Sequence, residues 1–304
     1  MYFLKRLLLV PPLLIGITFL AFALVRVAPG GPFDRERAPA SPEIERSLQA
    51  RYHLDESLGR QFARYLGGVL QGDFGPSLKY RNHTVNDIIG QGLPVSLLLG
   101  GLAFCFALGV GVPLGVHSAV RKGYWDGWAS AGLSLAAICV PGLVLGPVLI
   151  MVFAIQLGWF PVALWTSPGH MVLPTVTLGF YFAGRISRLM REGMLGVLRS
   201  EFIRTARAKG LGEGAVLFRH ALRPAILPVV SYSGPLLAEL LTGSFVVENI
   251  FQVPGIGVLM VNSSLNRDYT VVVGLVILYA ALLLTLNLVV DGLYRLLDPR
   301  VTFD

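Results

Sequence analysis

Six apolar stretches dominate this sequence, at 7–27, 95–116, 128–157, 171–189, 225–247 and 271–293. About 20 consecutive apolar residues cross the hydrocarbon of a bilayer as a helix, which satisfies its own backbone groups where no water can. The first, second, third and sixth stretches meet that length outright. The fourth is apolar only from Met171 to Ala183; Arg185 and Arg188 follow on the same helix, which is expected to leave the bilayer and continue into water. The fifth is interrupted by Ser231, Ser233, Gly234 and Pro235 and carries Glu239. Hydrophobic residues make up 54% of the chain and charged residues 14%, where soluble domains carry about 25% charged. A soluble core of this size cannot hide so much apolar surface, whereas lipid can. The sequence predicts an all-α integral membrane fold of six transmembrane helices.

The first stretch begins behind Lys5 and Arg6, where a signal peptide would lie. No small-residue cleavage pattern follows, and Ala28-Pro-Gly-Gly-Pro32 reads as a turn leaving a full, uncleaved span. Orientation follows from Lys and Arg in the loops. The segment 184–223 holds nine (Arg185, Arg188, Arg191, Arg199, Arg204, Arg207, Lys209, Arg219, Arg223) against three acids (Glu192, Glu201, Glu213), +6 of the chain's net +7. Arg121 and Lys122 follow the second stretch, and residues 158–170 contain no Lys or Arg. Both termini and 184–223 are therefore expected in the cytoplasm, and 28–94, with eight basic and eight acidic residues, outside. Cys105 and Cys139 fall in apolar runs, and the five histidines are scattered without the spacing of a zinc helix.

The basic segment has three readings. It can simply fix topology and touch lipid headgroups. It can bind nucleic acid, but no aromatic platform or DNA-binding motif accompanies it, so no nucleic-acid partner is expected. It can also dock a soluble protein. Ser200 suits an N-cap, Glu201 the positive end of the helix dipole, Lys209 the negative end, and Gly210 a left-handed stop. These bounds predict a short helix over 201–209, with Phe202, Ala206 and Lys209 on one stripe.

The same residues carry a resemblance. Arg204-Thr-Ala-Arg-Ala-Lys-Gly210 followed by Arg219-His-Ala-Leu-Arg-Pro224 is similar to the cytoplasmic loop motif of ABC importer permeases, whose general form is Glu-Ala-Ala, three residues, Gly, nine residues, then Ile-x-Leu-Pro. Here Arg204 and Thr205 replace Glu and Ala, His220 replaces Ile, and the Pro is one residue late. Those departures resemble the peptide and nickel branch of that family. Leu24-Val-Arg-Val-Ala-Pro-Gly-Gly-Pro-Phe33, Gly72-Asp-Phe-Gly-Pro-Ser-Leu-Lys79, Val85-Asn-Asp-Ile-Ile89, Gly243-Ser-Phe-Val-Val-Glu-Asn-Ile-Phe251, Val253-Pro-Gly-Ile-Gly257, Asn266-Arg-Asp-Tyr269 and Leu297-Asp-Pro-Arg300 agree with it in order along the chain.

The resemblance implies a type I ABC importer transmembrane fold. Residues 1–93 would form the first span and an extracytoplasmic segment, 94–293 the transmembrane domain, and 294–304 a cytoplasmic tail. It implies a non-catalytic permease subunit of the bacterial inner membrane, carrying peptides, with dipeptides, nickel or another small solute as alternatives. A second homologous permease, two ABC ATPase subunits and an extracytoplasmic substrate-binding protein would be its partners. The sequence has no Gly-x-x-x-x-Gly-Lys-[Ser/Thr] phosphate loop, so ATP and Mg are expected on the ATPases and no cofactor on this chain. Glu201, Phe202, Arg204, Thr205, Ala206, Arg207 and Gly210 would form the coupling helix seated in an ATPase, with Phe202 and Ala206 giving apolar contact.

The fifth stretch points to a translocation path on physical grounds. Backbone freed at Gly234-Pro235 is tolerated at membrane depth only where protein or a watery cavity satisfies it. Glu239 facing lipid would cost about 2.5–3.5 kcal/mol, so it is expected to line the path or to pair with a cation of a partner subunit. Asn287 and Asp291 lie one turn apart on the sixth stretch, Asp291 suiting a cap or a cationic partner, and Arg26 snorkels to the interface. The segment 245–266, containing Pro254, Gly255 and Gly257, is too apolar for a loop. It is either a re-entrant or surface-lying element that gates the path or meets the binding protein, or a helix packed over the bundle. A self-sufficient secondary transporter would need internal repeats, which are not seen. An intramembrane enzyme would need a Gly-x-Ser-x-Gly elbow or metal spacing, and neither is present.

Overall fold

The computed structural model describes residues 2–27, 55–80, 82–241 and 245–297. Its helices, in chain order, are α1 (Tyr2–Val27), α2 (Leu58–Leu70), α3 (Val85–Val120), α4 (Trp125–Cys139), α5 (Gly142–Gln156), α6 (Pro168–Leu198), α7 (Glu201–Ala208), α8 (Glu213–Ala225), α9 (Leu227–Leu241), α10 (Phe245–Ile250), α11 (Ile256–Leu265) and α12 (Tyr269–Leu297). The turn expected at 28–32, Gly243, the side chain of Asp291 and residues 298–304 of the expected tail lie outside what is described.

Length and composition qualify Leu7–Val27, Val85–Val120 and Tyr269–Val289 as spans, and up to five if each of two bent helix pairs is one span. Three departures from the sequence reading have local causes. The third stretch is not one continuous helix: α4 and α5 meet at 106°. Pro141 removes a backbone donor and holds Val140 extended (φ −85°, ψ 114°), so the helix must stop there. The fifth stretch is not interrupted at Gly234-Pro235, since α9 runs through both; its bend, 50°, lies at the junction of α8 and α9. The fourth stretch lies within α6, 31 residues long, whose composition does not qualify it as a span. Its buried side, including Leu173, Phe182, Ile186, Met190 and Met194, packs against protein, so its other side can be polar.

The chain divides into two compact units. The first comprises residues 1–94 and 255–288 among those described. Its apolar centre joins Val85, Ile88 and Ile89 of α3 to Ile256 of α11 and Val271 and Leu275 of α12. Phe19 and Phe22 of α1 meet Phe62 of α2 edge-on, with ring centroids 5.4 and 5.6 Å apart. The 71–84 loop is tied down by buried Asp268, whose carboxylate accepts from the Ser77 hydroxyl and from the Leu78 amide at 3.1 Å.

The second unit comprises 95–254 and 289–297 among the described residues. Its helices approach at small residues, the arrangement that lets backbones touch inside a membrane. A Cβ on Gly115 of α3 would lie 2.4 Å from the Ser187 carbonyl of α6, and one on Gly193 of α6 would lie 2.3 Å from the Ala225 carbonyl of α8. Ser134 and Ser187 share a buried hydrogen bond of 2.6 Å between α4 and α6. Helix α6 thus sits centrally, touching α3, α4 and α8 through near-backbone contacts.

Candidate functional site

Helix α7 forms much where the sequence places it, one residue shorter. Ser200 precedes it in extended conformation, but its hydroxyl donates back to the Val197 carbonyl at 2.6 Å and does not cap an amide. The expected Ser200 side-chain cap is therefore corrected. The far end is closed as expected: Gly210 adopts φ +77°, its amide donates to the Arg207 carbonyl (2.9 Å) and the Leu211 amide to the Ala206 carbonyl (3.4 Å). This is the paired six-to-one and five-to-two pattern of a Schellman stop.

The face that α7 presents is also corrected. Ala206 does not share an outer stripe with Phe202; it is 6% exposed and, with Ile203 at 0%, belongs to the core cluster that includes Val216 and Ala221 of α8. Phe202 is 51% exposed, and Glu201, Arg204, Thr205, Arg207 and Gly210 are exposed with it. Glu201 pairs with Arg204 at 2.8 Å. Glu213 accepts two bonds from the Arg207 guanidinium, at 2.8 and 3.2 Å, which ties α7 to α8 and pushes the Arg207 pKa up. The handle is thus rooted by Ile203 and Ala206 and offers one aromatic ring among charges.

A groove of about 520 Å³ opens between α6 and α9. One wall is the exposed side of α6, with Tyr181, Arg185, Arg188 and Glu192 at helical spacing. The other is the Pro228, Ser231, Tyr232, Pro235 face of α9. Glu239 is exposed one turn beyond Pro235 on that same face, while Gly234 is buried. Arg185 lies over the rings of Tyr232 (4.8 Å) and Tyr181 (5.8 Å), and donates to the Tyr181 hydroxyl at 3.5 Å. Sequence reading singles out Pro235 and Glu239 but misses Tyr181 and Tyr232. The signal for Tyr181 is its helical spacing from Arg185 and Arg188, whereas Tyr232 joins only through tertiary packing.

The 245–266 segment forms two short helices, α10 and α11, joined across Pro254. Val247, Phe251 and Val253 enter the core of the second unit. Pro254 is exposed, whereas Gly255 and Gly257 are buried, so only Pro254 of that expected outer contact presents itself to the surface. The sequence reading also passes over Glu248 of α10, fully buried and accepting from the Ser96 hydroxyl at 2.8 Å. A lone acid within an apolar stretch of this length is the signal for it.

Residues 111–303 match the family described as binding-protein-dependent transport system inner membrane component. Across 303 residues the chain is 45% identical to the oligopeptide transport system permease protein OppB of Haemophilus influenzae, covering 98% of each. It is 42% identical over 300 residues to the dipeptide transport system permease protein DppB of Bacillus subtilis, covering 99% of this chain and 97% of that one. Among solved structures, a chain of the MetNI methionine ABC transporter shares the fold with TM-score 0.58 and 18% identity, over 69% of this chain and 96% of that one.

Proposed function

Because this chain belongs to the family of binding-protein-dependent transport system inner membrane components, we propose that it is the membrane-spanning permease subunit of an ATP-driven importer and forms half of the translocation path for peptides, oligopeptides foremost. The observation that carries this is the 45% identity with an oligopeptide permease running the length of both chains. The dipeptide permease at 42% supports a second reading, in which the cargo is shorter.

The division of labour follows from chemistry. ATP and Mg bind to partner ATPases, and this chain receives motion from them. Helix α7 is the receiving element: Phe202 and the polar groups of Glu201, Arg204, Thr205 and Arg207 face outward, while Gly210 ends the helix sharply and Ile203 and Ala206 anchor it. Displacement of α7 by ATPase closure would carry the bundle between inward-open and outward-open arrangements as a rigid body. A second permease completes the path along the α6–α9 groove, with Pro235 and Glu239 on its wall and Gly234 behind them. A binding protein delivers cargo from outside, where Pro254 is its contact, with Gly255 and Gly257 shaping the turn beside it. Both termini and 184–223 are cytoplasmic in the inner membrane, on the charge asymmetry.

Affinity purification of the tagged chain from the membrane tests this. Co-purification of two ATP-binding subunits and a second permease, with ATPase activity stimulated by peptide-loaded binding protein, is the expected result. A chain that purifies alone and transports without ATP would refute it.

A further inference from the structure

We propose that the α6–α9 groove reads both ends of a short peptide: Arg185, framed by Tyr181 and Tyr232, takes the substrate's α-carboxylate, and Glu239 takes its α-amino group. This rests on the peptide-permease reading above and assigns it a recognition site. Three observations carry it.

The first is the state of Arg185. Two aromatic rings flank its guanidinium, at 4.8 and 5.8 Å, and no carboxylate lies within ion-pair distance among the described residues. One Nη donates to the Tyr181 hydroxyl at 3.5 Å, which leaves Nε and the other Nη for a planar acceptor, and a carboxylate accepts two such donors in parallel. The neighbouring cation, Arg188, leans instead toward Glu192 at 3.9 Å.

The second is the order of charge along the groove. Tyr232, beside Arg185, and Glu239 stand two turns apart on one face of α9, so a cation and an anion mark the two ends of that face. Tyr232 and Glu239 are seven positions apart on α9, a rise of about 10 Å. An extended chain spans about 3.3–3.6 Å per residue, so roughly three residues bridge that distance. The third is exposure: Pro235 and Glu239 are open on the α9 face, and Arg185 on the α6 face. Ser231 is turned away from cargo, its hydroxyl donating to the Leu227 carbonyl at 2.8 Å.

The test is uptake into proteoliposomes holding the complete transporter, with binding protein supplied at equal peptide load. One tripeptide is offered in four forms: free, C-amidated, N-acetylated and blocked at both ends. The groove is open to water, so the charge-assisted bonds are worth roughly three- to tenfold each. Arg185→Gln should lower uptake of the free and N-acetylated forms by that factor and spare the C-amidated and doubly blocked ones. Glu239→Gln should spare the N-acetylated and doubly blocked forms and lower the other two. Arg185→Lys, which keeps the charge but not the fork, should fall between wild type and Arg185→Gln. Equal loss of all four forms, no loss of any, or loss of the partner permease on purification would overturn the proposal. As a second measurement, a tripeptide with a photoreactive C-terminal residue should label the protein beside Tyr181 or Tyr232, and one with a photoreactive N-terminal residue should label it beside Glu239. Reversed labelling, or labelling only elsewhere, also overturns it. If the wild-type complex moves no form at all, it is the permease reading that fails.

Discussion

Adding one methyl group at Gly115 separates a contact from a coincidence. Its Cβ would stand 2.4 Å from the Ser187 carbonyl oxygen and 2.7 Å from the Met190 Cβ, where ordinary contact begins at 3.4 Å. Helices α3 and α6 would therefore have to part by about 1 Å locally, and a backbone carbonyl cannot swing aside as a side chain can. Overpacking of this kind costs about 1–3 kcal/mol. Against it, Gly→Ala inside a helix gains about 0.5–1 kcal/mol from reduced chain entropy. The balance for Gly115→Ala runs from about zero to a loss of about 2.5 kcal/mol, or a melting temperature lower by up to roughly 10 °C for a unit of this size. Gly109, on the same helix, has nothing within 4 Å of the point where an added methyl would stand. Gly109→Ala should keep the entropic gain and melt at or above wild type. The pair is compared in one detergent at one heating rate, with half-life at fixed temperature alongside because membrane proteins often unfold irreversibly. If Gly115→Ala melts with wild type while Gly109→Ala melts below it, the close approach of α3 and α6 is not real and the packing argument falls.

Four further outcomes are expected. Phe202→Ala should leave expression and melting unchanged but reduce coupling of ATP hydrolysis to uptake, whereas Ala206→Glu, which buries a charge beside Ile203, should prevent stable accumulation; normal accumulation of the second variant would contradict the buried face of α7. Reporter fusions at Lys122 and Gly212 should read cytoplasmic and one at Arg60 external, and a cytoplasmic signal at Arg60 would overturn the orientation. Glu239→Gln should depress uptake of peptides with a free amino terminus more than of their N-acetylated forms, and an equal loss for both would indicate a structural part. The Arg207–Glu213 tie should hold unchanged between about pH 6 and 9: a raised Arg pKa keeps its stabilisation in full below the unfolded value and loses it only as pH climbs past the ordinary arginine range. Salt should loosen it, since the pair is exposed. Hydrogen exchange of residues 201–213 that quickens across that pH range, beyond the intrinsic rise of the chemistry, would count against the pair.

How legible each part is in the sequence depends on where a residue's neighbours lie. The apolar runs within α1, α3 and α12 are readable in the sequence, although α3 begins at Val85, before the run at 95–116 and within the segment read as external. Helix α6 is harder to read, since much of its apolar surface meets protein and its outward face is free to carry Arg185 and Arg188. The break at Pro141 hides within an unbroken apolar run, although the Val-Pro pair states it. Gly234-Pro235 misleads in the opposite direction, because a proline within α9 reads as an interruption and the helix continues through it. The face of α7 cannot be fixed from spacing. In a helix of eight residues Ile203 and Ala206 define one stripe as readily as Phe202 and Ala206 define another, and only the core beneath chooses. Glu239 is visible as a charge out of place. Tyr232 is not, because its role depends on Tyr181 and Arg185, more than 40 residues earlier in the chain.

The glycine contacts around α6 bear on what can change during a transport cycle. Backbones that touch at Gly115, Gly184 and Gly193 leave no slack for α6 to slide against α3, α4 or α8. On the proposed coupling, a push on α7, joined to α6 through Arg199 and Ser200, would pass without backlash to the helices that α6 touches. The wall bearing Tyr181 and Arg185 would travel with them in one piece. This half of the groove would keep its own shape through the cycle, so the change from holding cargo to releasing it must be supplied by the opposing half.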